Sequence, residues 1–156
     1  MIQVDIPGFG WIEIEHAVFD YNGTLAIEGN IENDTIGLLK KLQEKLEIHI
    51  LTADTYGLVE KALGDYTFHI QILSISAESE QKADYVKKLN TSKVISFGNG
   101  NNDVGMLNIS KIGIAVIKEE GCSTKAINAA DLVVKEIRDG IGLLLNPLRL
   151  KAGLRY

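Results

Sequence analysis

The sequence predicts a doubly wound α/β fold, a parallel sheet with helices on both faces, preceded by an N-terminal β-hairpin. Short β-rich apolar runs alternate with helix-period segments from residue 16 to about 145, the signature of strand–helix–strand units. The runs are apolar almost without a break, as burial on both faces requires. The two prolines, Pro7 and Pro147, lie near the ends, so no proline interrupts the series.

Each element has its own signal. Ile2-Gln3-Val4-Asp5 and Trp11-Ile12-Glu13-Ile14 alternate around Gly8-Phe9-Gly10, which reads as a hairpin. His16 to Phe19 is a strand. Asp34 is positioned to cap a helix with apolar positions Ile36, Leu38, Leu39 and Leu42, and with Leu46 at its end. Ile48 to Leu51 is a strand and Tyr56 to Leu63 a helix. Phe68 to Leu73 is a strand and Glu80 to Leu89 a helix. Val94 to Phe97 is a strand, followed by a Gly/Asn loop and a short helix near Val104 to Leu107. Gly113 to Val116, a helix over Ser123 to Ala130, Leu132 to Val134 and a helix over Ile137 to Leu145 complete the series.

Length and composition bound the function. A chain of 156 residues is one domain by length, here 1–156 with a core of about 16–145. Its net charge of −5 speaks against nucleic acid as partner. The single cysteine, Cys122, makes neither an internal disulfide nor a multi-cysteine metal site. The N-terminus lacks a signal-peptide pattern and no apolar run approaches a membrane span, so the expectation is a cytoplasmic protein with no membrane partner. His16, His49 and His69 lie in or beside apolar strands without ligand spacing and read as core-edge or surface residues.

Ligands of such sheets bind beyond the carboxyl ends of the strands. The residues found there are Asp20-Tyr21-Asn22-Gly23-Thr24, then Thr52-Ala53-Asp54, then Gly98-Asn99-Gly100-Asn101-Asn102-Asp103, with Lys82 on the helix before that last strand. An aspartate, a hydroxyl, a lysine and a second acidic loop suit phosphoryl transfer. A carboxylate can attack phosphorus, and the transferring group needs donors and cations around its oxygens. Paired carboxylates can hold Mg²⁺.

These segments resemble the haloacid dehalogenase (HAD) superfamily. Phe19 to Leu25 is similar to its first motif, hydrophobic-D-x-D-G-T-[LV]. Leu51-Thr52 resembles the second, Lys82 the third, and Gly98 to Met106 the fourth, G-D-G-x-N-D-x-x-M. The fourth motif and the Gly113 to Val116 strand are most like those of P-type cation-transporting ATPases and phosphoserine phosphatase. Only 31 residues separate Asp20 from Thr52 and only 29 separate Thr52 from Lys82, too few for a cap domain at either place. The resemblance therefore implies a Rossmann-like HAD core without a cap, of the soluble P-type-ATPase-like kind.

The resemblance also implies roles. Asp20 is the nucleophile and a metal ligand. Asn22 contributes a backbone carbonyl to the metal but stands where family phosphatases carry the acid–base aspartate. Thr52 and Lys82 are catalytic and hold phosphoryl oxygens, Ala53 and Asn102 line the substrate, and Asn99 and Asp103 complete the Mg²⁺ set. Asn99 replaces a usual aspartate, so the site carries fewer charged ligands. The expected substrate is a phosphorylated small molecule or an acyl phosphate.

Three functions compete at this level. One is a Mg²⁺-dependent phosphohydrolase. A second is a silent relative that only binds phosphate or metal, favoured by the amides at Asn22 and Asn99. A third is a phospho-accepting receiver, which lacks here the acidic pair expected before its acceptor aspartate. An open site and apolar Trp11, Leu148, Leu150, Leu154 and Tyr156 at the chain ends lead us to expect a homo-oligomer.

Overall fold

The computed structural model describes residues 1–53 and 57–156. β1 (Ile2–Ile6) and β2 (Gly10–Ile14) pair as the antiparallel hairpin, with Ile2 opposite Ile14. The rest alternates: β3 (His16–Asp20), α1 (Asn33–Gln43), β4 (Glu47–Thr52), α2 (Leu58–Leu63), β5 (His69–Ile72), α3 (Glu78–Lys88), β6 (Val94–Gly98), α4 (Val104–Ile109), β7 (Ile112–Val116), α5 (Thr124–Ala129), β8 (Leu132–Val134), α6 (Ile137–Leu145) and α7 (Pro147–Leu154). Tyr56, read from the sequence as the start of the second helix, lies outside the described residues, as does Asp54.

β3 to β8 form one parallel sheet in the order β5-β4-β3-β6-β7-β8. The chain starts in the middle, winds outward to β5, then crosses back to β6 and winds the other way. This is the doubly wound order, and its reversal between β3 and β6 opens a crevice at their carboxyl ends. Asp20 and Gly98 end those two strands.

Both faces are covered. Ala17, Phe19, Ile48 and Ile50 pack with Leu39 and Leu42 of α1 and with Ile141 and Leu144 of α6. Val18, Leu51 and Val94 pack on the other face with Val86 of α3 and Met106 of α4. Phe19 and Phe97 stack across β3 and β6 with ring centroids 4.6 Å apart. The hairpin buries Ile2, Ile6, Ile12 and Ile14 in the larger of these clusters. Its turn is tied to the chain end by Tyr156 N–H, which donates to the Pro7 carbonyl at 3.1 Å.

Among the described residues, no inserted domain interrupts the core. The chain between β3 and α1 makes a tight loop with bridges Asn22–Ala26 and Ile27–Asn30. The chain between β4 and α3 holds α2, β5 and a single 3₁₀ turn at Ile75–Ala77. The fold is thus α/β and capless, as the motif spacing implies. No helix among the described residues is long and apolar enough to cross a membrane.

Three expectations are corrected. Asp34 lies inside the first turn of α1, after the capping position Glu32, where its charge faces the helix N-terminal dipole. The tail is a further helix, α7, started by Pro147 at its first position. Leu150 and Leu154 of that tail are buried against the hairpin side of the core, whereas Trp11, Leu148 and Tyr156 are exposed. Leu150→Ala is therefore expected to lower the unfolding free energy by about 2–5 kcal/mol. Urea unfolding checks it, and a loss below about 0.5 kcal/mol, the range of a surface substitution, would contradict this packing.

Candidate active site

Asp20 is the last residue of β3 and is buried at the reversal point of the sheet. Lys82, in the second turn of α3, reaches it across the crevice. The Lys82 ammonium is fully buried and donates to Asp20 Oδ1 at 2.7 Å and to Asp103 Oδ1 at 2.8 Å. A third carboxylate, Glu78 Oε1, lies 2.8 Å away one helical turn earlier. Three separate segments thus place their carboxyl groups around one ammonium ion. Among the predicted residues Asp20, Lys82 and Asp103 are brought into direct contact.

The loop after β6 is folded around Asp103. Its Oδ2 accepts from the backbone N–H groups of Asn99 and Gly100, both at 2.9 Å. Gly98 makes this possible: a Cβ there would stand 2.5 Å from Asp103 Cβ and Cγ. The carboxylate is thereby fixed with one oxygen on the loop and the other on Lys82.

Asn99 ties three loops together. Its Oδ1 accepts from Thr24 Oγ1 at 3.2 Å, and its Nδ2 donates to the Gly121 carbonyl at 3.1 Å. Gly23, with φ of +80°, lies beneath it, and a Cβ there would come within 2.4 Å of Asn99 Nδ2. An aspartate could not donate to Gly121, so the amide has a bracing role of its own.

The remaining predicted residues surround this centre. Thr52 is buried at the end of β4, the strand beside Asp20, and Ala53 follows it half-buried. Asn22 is exposed on the loop after β3, where the Tyr21 carbonyl accepts from Leu25 and Ala26 N–H, both at 2.9 Å. Asn102 folds back toward Gly100 and lines an open cleft of about 340 Å³ together with Glu78. Sequence reasoning missed Glu78 and Thr24. Glu78 was legible as the i,i+4 partner of Lys82, and Thr24 as the hydroxyl of the first motif.

The site carries more negative than positive charge. Burial, and then the neighbouring Asp103, push the Asp20 carboxyl up to about 7, although Lys82 pulls the other way. Burial pulls the Lys82 ammonium down, but Asp20 and Asp103 more than offset this and hold it above the usual lysine range. Three carboxyl groups around one ammonium form an oxygen-rich, anionic pocket, the donor set that fits a hard divalent cation.

This charge imbalance gives a pH signature. The native state holds a proton on Asp20 up to about pH 7, and the unfolded chain only up to about pH 3.8. Stability from that proton is lost as pH rises through this window. In buffer free of divalent cations, Asp20→Asn is expected to become more stable than wild type as pH rises from 4 to 8, by up to about 4 kcal/mol. Urea unfolding of both proteins across pH reads the difference, and parallel curves would contradict a raised Asp20.

Known proteins agree with this architecture. A family model of haloacid dehalogenase-like hydrolases matches residues 13–144. An uncharacterized protein of Methanocaldococcus jannaschii is 49% identical over 71 residues, 45% of this chain and 76% of that protein. The 3-deoxy-D-manno-octulosonate 8-phosphate phosphatase of Moraxella catarrhalis, solved with magnesium, phosphate and a KDO molecule, superposes with a TM-score of 0.63 at 21% identity, over 85% of this chain and 86% of that one. A zinc-transporting P-type ATPase in its E2.Pi state matches with a TM-score of 0.64 at 22% identity, over 79% of this chain and 20% of the transporter. At these identities the two structures establish a shared fold. With the family model spanning most of the sequence, the chain belongs to the haloacid dehalogenase-like hydrolases, in a small form without a cap domain.

Proposed function

We propose that this chain is a Mg²⁺-dependent phosphohydrolase that cleaves phosphomonoesters or acyl phosphates through an aspartyl-phosphate on Asp20. The observation that supports it is the convergence of Asp20, Lys82 and Asp103 on one buried point at the sheet's reversal. That the Moraxella catarrhalis phosphatase shares the fold and was solved with magnesium and phosphate gives further support.

In this reading an Asp20 carboxylate oxygen attacks phosphorus, and the bond from phosphorus to the leaving oxygen breaks. Water then attacks the same phosphorus, the bond to Asp20 breaks, and inorganic phosphate leaves with the carboxylate restored. Thr52, Lys82, the Ala53 N–H and Asn102 donate to the phosphoryl oxygens, where charge develops. Asp20, Asp103 and the Asn22 backbone carbonyl would hold Mg²⁺, with Asn99 acting as a brace because both ends of its amide are engaged. The ion, when bound, neutralises charge on the transferring group.

No acid stands at Asn22 to protonate a leaving group. Activated esters and acyl phosphates, which leave without that proton, are the favoured substrates in this reading. With Mg²⁺ present, p-nitrophenyl phosphate and acetyl phosphate are expected to be hydrolysed faster than sugar phosphates, and Asp20→Asn to abolish both activities. Asn22→Asp is expected to raise the rate on alkyl phosphates by about 10²-fold or more. No gain in that variant would remove Asn22 from the acid–base position. Phosphate and Mg²⁺ binding without turnover of any substrate would favour the silent-relative reading, which the amide at Asn22 supports.

A further inference from the structure

The three histidines that carry no ligand spacing in the sequence meet at the other end of the sheet. His16 pairs with Glu47 across β3 and β4, and His49 pairs with His69 across β4 and β5. Residues 47 and 49 share a face because strand side chains alternate. The parallel register therefore stacks all four side chains on one face at the amino ends of three neighbouring strands. Tyr85 of α3 packs against His49.

Their atoms converge on one point. His16 Nδ1 lies 3.2 Å from His49 Nε2 and 3.4 Å from Glu47 Oε2, and His49 Nε2 lies 3.8 Å from the same oxygen. Zinc ligands at about 2.0–2.1 Å in a tetrahedron stand about 3.3–3.4 Å from one another. The three spacings bracket that edge. His69 stacks its ring on that of His49, centroids 4.7 Å apart, with Nε2 3.8 Å from Glu47 Oε2, so it borders the three-ligand group of His16, Glu47 and His49 and leaves the fourth position to water.

The surroundings suit a metal as well. His49 Nδ1 is 3.0 Å from the Tyr85 hydroxyl, the kind of outer contact that orients a ligating imidazole, and its Nε2 faces His16 and Glu47. Glu47 and His69 are 61% and 56% exposed and line a cleft of about 570 Å³, which gives a route of entry.

We propose that His16, Glu47 and His49, with water in the fourth position, form a binding site for a tetrahedral first-row transition metal, Zn²⁺ before others, separate from the pocket around Asp20. Imidazole nitrogens suit Zn²⁺, whereas Mg²⁺ takes oxygen ligands, so the two sites sort their ions by ligand type. His16 precedes Asp20 by four residues on β3, which sets the sites about 13 Å apart along the strand. A metal here clamps β3 and β4 together, and these two strands carry Asp20 and Thr52 at their far ends. Its binding free energy adds to the stability of the native state.

Chelator-stripped full-length protein titrated with ZnCl₂ in Mg²⁺-containing buffer tests the proposal by calorimetry, with CoCl₂ as a visible probe. The expected result is one Zn²⁺ per chain, a raised melting temperature, and the intense visible bands of tetrahedral Co²⁺. Glu47→Gln and His69→Ala change exposed side chains, and their metal-free unfolding curves are expected to match wild type. Glu47→Gln should weaken Zn²⁺ at least tenfold, while His69→Ala and Asp20→Asn keep wild-type affinity. Absence of saturable Zn²⁺ binding, with the cluster serving only as a hydrogen-bonded network, would overturn the proposal. Unchanged affinity in Glu47→Gln, or loss of binding in Asp20→Asn, would do the same.

Discussion

A lysine ammonium with no solvent exposure holds the site of this protein together. Lys82 is paired at once with Asp20, Asp103 and Glu78. A buried charge is tolerated only when its partners are well placed, and removing one partner of such a set leaves an uncompensated ion in a medium of low dielectric. The positions of β3, of α3 and of the loop after β6 are therefore coupled through one nitrogen atom. The set is also unbalanced toward negative charge, which adds to burial in raising the Asp20 carboxyl. That imbalance is a local cost in stability of the kind that functional sites carry.

The sheet determines where such a centre can exist. At the reversal between β3 and β6 two adjacent strands send their connections to opposite faces and leave their carboxyl ends open. Asp20 and the loop around Asp103 occupy that gap. The bracing by Asn99 and the absence of a Cβ at Gly98 and Gly23 then close the loops onto it. The same parallel register that exposes the carboxyl ends also aligns the amino ends, and there it gathers His16, His49 and His69. Two clusters of different chemistry thus lie at the two ends of the same sheet, oxygen-rich at one and nitrogen-rich at the other, with β3 running between them.

Much of this was legible in the sequence, for identifiable reasons. Strand and helix periodicity located the strands of the sheet, because apolar runs buried on both faces leave a strong signal. Asp20, Lys82 and Asp103 were legible because they stand just past strand ends and on the adjoining helix, where ligands of such sheets bind. Other features depend on register, which no local pattern carries. His16, His49 and His69 are far apart in the chain and become neighbours only when β3, β4 and β5 align. The tail was misread because Leu148, Leu150 and Leu154 look like a short apolar end, while Pro147 at a helix start and the four-residue spacing of Leu150 and Leu154 mark an amphipathic helix. The bracing contacts of Asn99 to Thr24 and Gly121 were not legible, because they join residues distant in sequence.

Trapping the covalent intermediate tests the role of Asp20 most directly. The protein is mixed with acetyl phosphate and Mg²⁺, quenched in acid, digested and mapped by mass spectrometry. The predicted result is a phosphoryl group on the peptide that contains Asp20, replaced by a hydroxamate when the digest is treated with hydroxylamine. Turnover of acetyl phosphate without any phosphorylated peptide, or with the label on another residue, would contradict Asp20 as the nucleophile.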